Sequence, residues 1–268
     1  MIRNDTTFVI VGLGLLGGSY AMGLKEAGYR VLGVARRQET IDHALAHHMI
    51  DAGTLDPEEF LDQADIVVFA LYPHIMIYWI HEHQNAFRPG TLLTDVSGVK
   101  VNVADKVQSF LRDDVEFIAA HPMAGRETRG IEYANTEMFH DANYIIVPTE
   151  KNTREAVETS RQLAEILQFH HIATLSMQEH DEMIGFLSQL THVIAVSLMN
   201  THDNSHLVEY TGDSFRDLTR IAKINETMWS ELFLLNKKIL LSEIDAFAKE
   251  LEHFRDTLAK EDVDEMKR

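Results

Sequence analysis

The chain has 268 residues, no cysteine and a formal net charge of −18 at neutral pH. Its length exceeds one average domain, so one large α/β domain or two unequal domains are expected. The acidic balance opposes general attraction to nucleic acid or anionic membranes, and an anionic ligand must instead meet a local cluster of arginines. Without cysteine there is no disulfide, no thiolate metal site and no thiol nucleophile, which fits a reducing compartment.

The N-terminus, Met1-Ile2-Arg3-Asn4-Asp5, has no apolar stretch behind a basic start. It does not read as a signal peptide, and the expected location is the cytoplasm. Phe8 to Val11 is an unbroken apolar run ending at Gly12, and glycines and leucines then lead into a helical pattern near Tyr20 to Ala27. That order is strand, tight turn, helix. Further buried strands are predicted at Arg30 to Val34, Asp65 to Leu71, Thr91 to Asp95, Glu116 to Ala120 and Tyr144 to Val147, separated mostly by helix-length segments. Such alternation implies a parallel sheet covered on both faces. The uncharged run from Ile66 to Ile80 contains Pro73 and His74 and falls short of the roughly 20 residues that span a bilayer, so it reads as strand followed by helix.

A helix near Thr153 to Leu167 and a short segment from His171 to Leu175 complete the first part. All five prolines lie at or before Pro148, and twelve of the fourteen glycines at or before Gly130, so the remainder lacks turn formers and should be helical. The predicted division is a nucleotide-binding domain over 1–175 and an all-helical domain over 176–268. In the last helix Leu240, Ile244, Phe247, Leu251, Phe254 and Leu258 form a heptad-like seam that must pack on another helix, either of the same chain or of a partner subunit.

Gly12-Leu13-Gly14-Leu15-Leu16-Gly17 fits the Gly-x-Gly-x-x-Gly pattern. Three glycines can serve a turn alone, but here a strand precedes them and a helix follows, whose first amides can hold a pyrophosphate. This is the signature of a Rossmann-type, doubly wound unit. An NAD-binding unit usually ends its second strand with an acidic residue on the ribose 2′-hydroxyl. Here Val34 is followed by Ala35-Arg36-Arg37. Two guanidinium forks suit a 2′-phosphate, so NADP is favoured over NAD, although both arginines would also suit a solvated loop.

His121, in Ala120-His121-Pro122-Met123-Ala124-Gly125-Arg126-Glu127, is predicted just beyond the fifth strand, where open α/β sheets bind ligands. An imidazole there is a candidate acid or base. Most of the fifteen histidines must be inert, and position singles this one out. In Ser188-Gln189-Leu190-Thr191-His192 the first and last residues share a helix face, as ligands of a cleft or as a core histidine satisfied by a hydroxyl. Arg216 and Arg220 stand one turn apart with Asp213 and Asp217 nearby, as an anion site or a surface salt-bridge network. Trp229 is suited to lie over a substrate ring or to fill a bundle core.

Through the glycine loop, His121 to Glu127, Ser188 to His192, Phe215-Arg216-Asp217-Leu218-Thr219-Arg220-Ile221-Ala222 and Met228-Trp229, the sequence closely resembles the prephenate dehydrogenase family, including its arogenate-specific members, over nearly its whole length. The resemblance implies oxidative decarboxylation of prephenate to 4-hydroxyphenylpyruvate in tyrosine biosynthesis, by a Rossmann domain for the cofactor and a helical domain that dimerises. It implies that His121 takes the ring-hydroxyl proton, that His192 sits beside the substrate, that Arg220 binds a carboxylate and that Trp229 closes the pocket. No metal is required. Tyrosine, a product analogue, is a candidate feedback ligand of the same pocket. Two departures stand out. Many members read Asp-Val-Gly-Ser-x-Lys where this chain has Asp95-Val96-Ser97-Gly98-Val99-Lys100, so Ser97 replaces the family serine only through a changed turn. The family's Ser-His-Leu-Pro-His is here Ser188 to His192, without the first histidine and the proline.

Three alternatives stay open at this point. Arogenate carries an ammonium that Glu127 could pair with. A β-hydroxyacid dehydrogenase would use a helix lysine, Lys237 or Lys238, and leave the His121 motif unexplained. An NADP-sensing regulator would have no use for His121, Arg220 and Trp229 together.

Overall fold

The computed structural model describes residues 1–125, 128–201 and 207–268. Two compact units, Met1–His180 and Asp181–Arg268, divide inside the helix that begins at Met177.

The first unit runs β1 (Thr7–Val11), α1 (Leu15–Glu26), β2 (Arg30–Val34), α2 (Gln38–Ala46), β3 (Ala52–Thr54), β4 (Ile66–Phe69), α3 (Pro73–His83), β5 (Leu92–Asp95), α4 (Val101–Gln108), β6 (Glu116–Pro122), β7 (Asn143–Val147), α5 (Arg154–Ile166) and β8 (His171–Thr174). These strands form one eight-stranded sheet in the order β3-β2-β1-β4-β5-β6-β7-β8. The chain works outward from β1 to β3 and restarts at β4 beside β1. Right-handed crossovers therefore place helices on both faces and leave a crevice at the carboxyl ends of β1 and β4. The apolar runs are buried as their continuous hydrophobicity requires, with Phe8, Val9, Ile10, Val67, Val68 and Phe69 fully enclosed.

Two features correct the sequence reading. The three-residue strand β3 was not expected; its Ala-Gly-Thr lacks the branched residues that mark strands, and Gly53 is there because a Cβ would meet Ile41 of α2 at 2.5 Å. The sheet is also not wholly parallel. β7 runs antiparallel to β6, and the described residues of the segment joining them form only short 3-10 turns, with no crossover helix among them. His121 consequently lies within β6, opposite Ile145, rather than just beyond a strand.

The helix α6 (Met177–Ile184) continues through a π-helical turn, Gly185–Leu190, into α7 (Thr191–Asn200). After α8 (Leu207–Tyr210), α9 (Asp213–Thr219) and a 3-10 turn at Arg220–Ala222 come α10 (Glu226–Leu235), α11 (Lys237–Ala259) and α12 (Val263–Met266). The second unit is therefore all-helical. By length and composition alone Met177–Asn200 could cross a membrane. One side of this helix is packed within the unit: Gln189 is fully buried, donating to Leu232 O at 3.2 Å and accepting from Asn236 Nδ2 at 2.8 Å, and Gly185 admits Ile239 of α11 so closely that a Cβ would lie 2.7 Å from it. Phe186 and Leu187 on the same helix are exposed. Along α11 the seam divides. Leu240 is buried, whereas Leu251, Phe254 and Leu258 are each more than half exposed.

Candidate active site

The glycine turn gives each glycine a separate job. Gly12 adopts φ +96°, which L side chains rarely adopt, and a Cβ there would lie 2.6 Å from Ala70 O. At Gly17 a Cβ would fall 1.8 Å from Gly12 O, so only glycine lets α1 pack this tightly against the turn. Gly14 differs, for a Cβ there would meet nothing within 4 Å. Space is kept over the start of α1, whose first turn has no acidic residue and no side-chain cap. Uncapped amides with the positive helix end behind them fit the pyrophosphate of a dinucleotide. Leu13 is buried and its methyl group faces Gly33 of β2, while Leu15 and Leu16 form the first turn of α1. Beyond β2, Arg36 and Arg37 are exposed and have no ion-pair partner among the described residues.

His121 is half-buried. Its Nδ1 lies 2.9 Å from Nε2 of His180, a fully buried residue of α6. Burial, the His180 ring and the Lys100 charge all push His121 well below the ordinary histidine range. Its ring is thus neutral at physiological pH. Nearby, Tyr144 is held up to about 12 and Tyr20 is also raised, chiefly by burial, so neither phenol ionises to compete as a base.

Beside His121 lies a buried polar cluster. Lys100 Nζ donates to Asp95 Oδ2 at 2.7 Å, to Ala120 O at 2.6 Å and to Ser97 Oγ at 3.3 Å. The Ser97 hydroxyl donates to Asp95 Oδ2 and approaches Val99 O at 3.1 Å. The displaced serine is therefore engaged with Asp95 and Lys100.

In the second unit the Ser188 carbonyl, within the π-helical turn, accepts from the Thr191 N–H, from Thr191 Oγ1 at 2.7 Å and from His192 Nδ1 at 2.8 Å. The His192 ring thus meets the Ser188 main chain and not its hydroxyl. Trp229 stacks on His192, with ring centroids 3.7 Å apart and planes inclined by 29°. Arg220 is exposed at the start of the 3-10 turn that packs against α7. Arg216 binds Asp213 and Thr211 O, which is the salt-bridge reading of this arginine. Glu127 lies outside the described residues.

Residues 20–172 match the family model for the prephenate dehydrogenase nucleotide-binding domain, and residues 176–268 match that for the prephenate dehydrogenase dimerization domain. The chain belongs to the prephenate dehydrogenase family. It is 30% identical to the prephenate dehydrogenase of Bacillus subtilis over 99% of this chain and 74% of that protein. To the prephenate dehydrogenase of Lactococcus lactis subsp. cremoris it is 31% identical over 95% of this chain and 72% of that protein. Among solved structures, prephenate dehydrogenase from A. aeolicus in complex with hydroxyphenyl propionate and NAD+ superposes with a TM-score of 0.90 at 27% identity, covering 99% of this chain and 94% of the other. Membership places the chain among the dehydrogenases, and the helical unit carries the family's dimerization fold.

His180, beside His121, was not singled out by the sequence, and Asp95 and Lys100, in view as matches to the family's Asp-Val-Gly-Ser-x-Lys pattern, were given no role there.

Proposed function

We propose that this chain is a prephenate dehydrogenase, converting prephenate to 4-hydroxyphenylpyruvate and carbon dioxide with a nicotinamide dinucleotide as hydride acceptor. The observation that carries the reading is His121, on β6 of the sheet that carries the glycine turn, with its Nδ1 held 2.9 Å from the fully buried His180 ring of α6. A nicotinamide ring, when bound, supplies the hydride acceptor. His121 Nε2 accepts the ring-hydroxyl proton as hydride leaves the same carbon, and His180 steadies the resulting imidazolium by accepting from Nδ1. The bond to the ring carboxylate then breaks, its electrons enter the ring, and the proton returns to the phenolic oxygen. One hydride and one carbon dioxide leave, and no net proton is released.

Arg220 binds a substrate carboxylate by its planar fork, which a dianion needs in a protein of this net charge. His192, aligned by the Ser188 carbonyl and backed by Trp229, presents Nε2 to the substrate, with Ser188 at its side. Ser97 contributes through the Lys100 cluster. The free guanidinium groups of Arg36 and Arg37 favour NADP over NAD. The exposed part of the α11 seam pairs with the same seam of a second copy, making a homodimer.

The test is kinetic. Wild-type protein given prephenate should form 4-hydroxyphenylpyruvate and reduced cofactor in equal amounts. The His121→Asn protein should lose about 10²- to 10⁴-fold in kcat while keeping its cofactor Kd. Unchanged kcat in the variant would remove His121 from the chemistry.

A further inference from the structure

Lys100 is a lysine with no access to solvent, on a chain segment next to the proposed base. A buried ammonium is costly unless every hydrogen is used, and here three acceptors surround it: Asp95, Ala120 O and Ser97. What it grips is informative. Regular pairing between β5 and β6 ends at Thr94 and Ile118, after which β5 departs and β6 continues beside β7 alone. Among the described residues Ala120 then has no strand on its β5 side. Its N–H donates to Asp95 Oδ1 at 3.1 Å and its carbonyl accepts from Lys100 at 2.6 Å, so two side chains take the place of the missing rung. The next residue is His121.

We infer that the Asp95–Lys100 pair is a positioning element for His121, holding both polar main-chain atoms of Ala120 so that the imidazole is presented at a fixed place and angle. The inference rests on the proposed role of His121 as base. A requirement for stability alone explains the pair poorly, because well-packed apolar residues usually replace a buried ion pair without loss of stability. Its charge has a second effect. Among the described residues the titratable groups about His121 are His180 on α6, Lys100 before α4 and Asp95 at the end of β5. Lys100 disfavours a second cation beside it and so helps keep the base neutral.

The experiment uses two double variants of the full chain, Asp95→Asn/Lys100→Met and Asp95→Asn/Lys100→Gln. Both remove the charges together, so neither leaves a lone buried ion, and the second keeps an amide able to donate to Ala120 O. Kinetics with prephenate, NADP binding and the NMR titration of the His121 ring are measured for each. In the methionine variant kcat should fall about 10- to 100-fold, as misplacement of a reacting group does, with KM and NADP Kd little changed. The glutamine variant should recover part of kcat. In both, the His121 titration and the acid limb of kcat/KM should move to higher pH. Folded variants with wild-type kcat and an unmoved His121 titration would overturn the inference. So would loss of folding in both, since the pair would then serve the fold itself. If the wild type fails to turn over prephenate, the functional reading falls, while the His121 titration still decides the positioning claim.

Discussion

Replacing Gly14 with alanine should separate binding from folding. Gly14 sits at φ −95° and ψ −155°, which alanine adopts freely, and the added methyl would meet no atom of the protein within 4 Å. Stability should fall by no more than about 1 kcal/mol, the usual gap between glycine and alanine at a helix N-cap. The methyl instead occupies the space through which a pyrophosphate reaches the α1 amides. Loss of one hydrogen bond to a charged group costs about 1.5–3 kcal/mol, so the dinucleotide Kd should rise by roughly 10- to 150-fold. Gly17→Ala is the control. Its methyl would fall 1.8 Å from Gly12 O, which α1 can relieve only by moving off the turn. Overpacking of this kind costs about 1–3 kcal/mol, or a Tm lowered by roughly 2–12 °C, with weakened binding as well. Calorimetric titration with NADP and thermal melts of both variants provide the assay. A Gly14→Ala protein that binds as tightly as wild type, or that melts as low as Gly17→Ala, would refute the reasoning.

Three other outcomes follow from the same structure. Because His121 must be neutral to act and its pKa is depressed, kcat/KM should hold as pH falls through about 6.5, the ordinary histidine value, and decline only below it. The same depression acts on stability: above about 6.5 the histidine contribution is complete, and it is lost as pH falls toward the native pKa, because the unfolded chain takes up the proton first. The Tm of wild type should therefore drop more between pH 7 and 5 than that of His121→Asn, and an acid limb at or above 6.5 would contradict both statements. On α11, Leu251→Lys with Phe254→Lys should convert a dimer into a monomer in sedimentation, since both side chains are more than half exposed in the single chain. A double variant that remains dimeric would place the interface elsewhere.

The parts of the fold that were legible in the sequence are those where one physical requirement dominates. β1, its glycine turn and α1 announce themselves because a buried parallel strand must be apolar throughout and because only glycine fits at Gly12 and Gly17. The helical half was legible from its lack of turn formers. Strand direction left no such trace, for β7 has the same buried composition whether it runs with β6 or against it. At the candidate site the sequence singled out His121 but not the side chains packed around it. Lys100 is in view only as a match to the family's Asp-Val-Gly-Ser-x-Lys pattern, and its partners appear once the end of β5 and the continuation of β6 bring Asp95 and Ala120 to it. His180, between Glu179 and Asp181, looks exposed and is fully buried. At Ser188 and His192 a helical spacing predicted a shared face, and the ring meets the serine carbonyl and not its hydroxyl.

The most direct test of the account is a matrix of initial rates, prephenate or arogenate against NADP or NAD, followed by the absorbance of reduced nicotinamide. The account predicts turnover of prephenate, faster with NADP at low cofactor concentration, and a loss of that preference when Arg36 and Arg37 are both changed to alanine. Turnover with NAD alone would overturn the role given to the two arginines, preference for arogenate would reassign the substrate, and no turnover of either substrate would contradict the central claim.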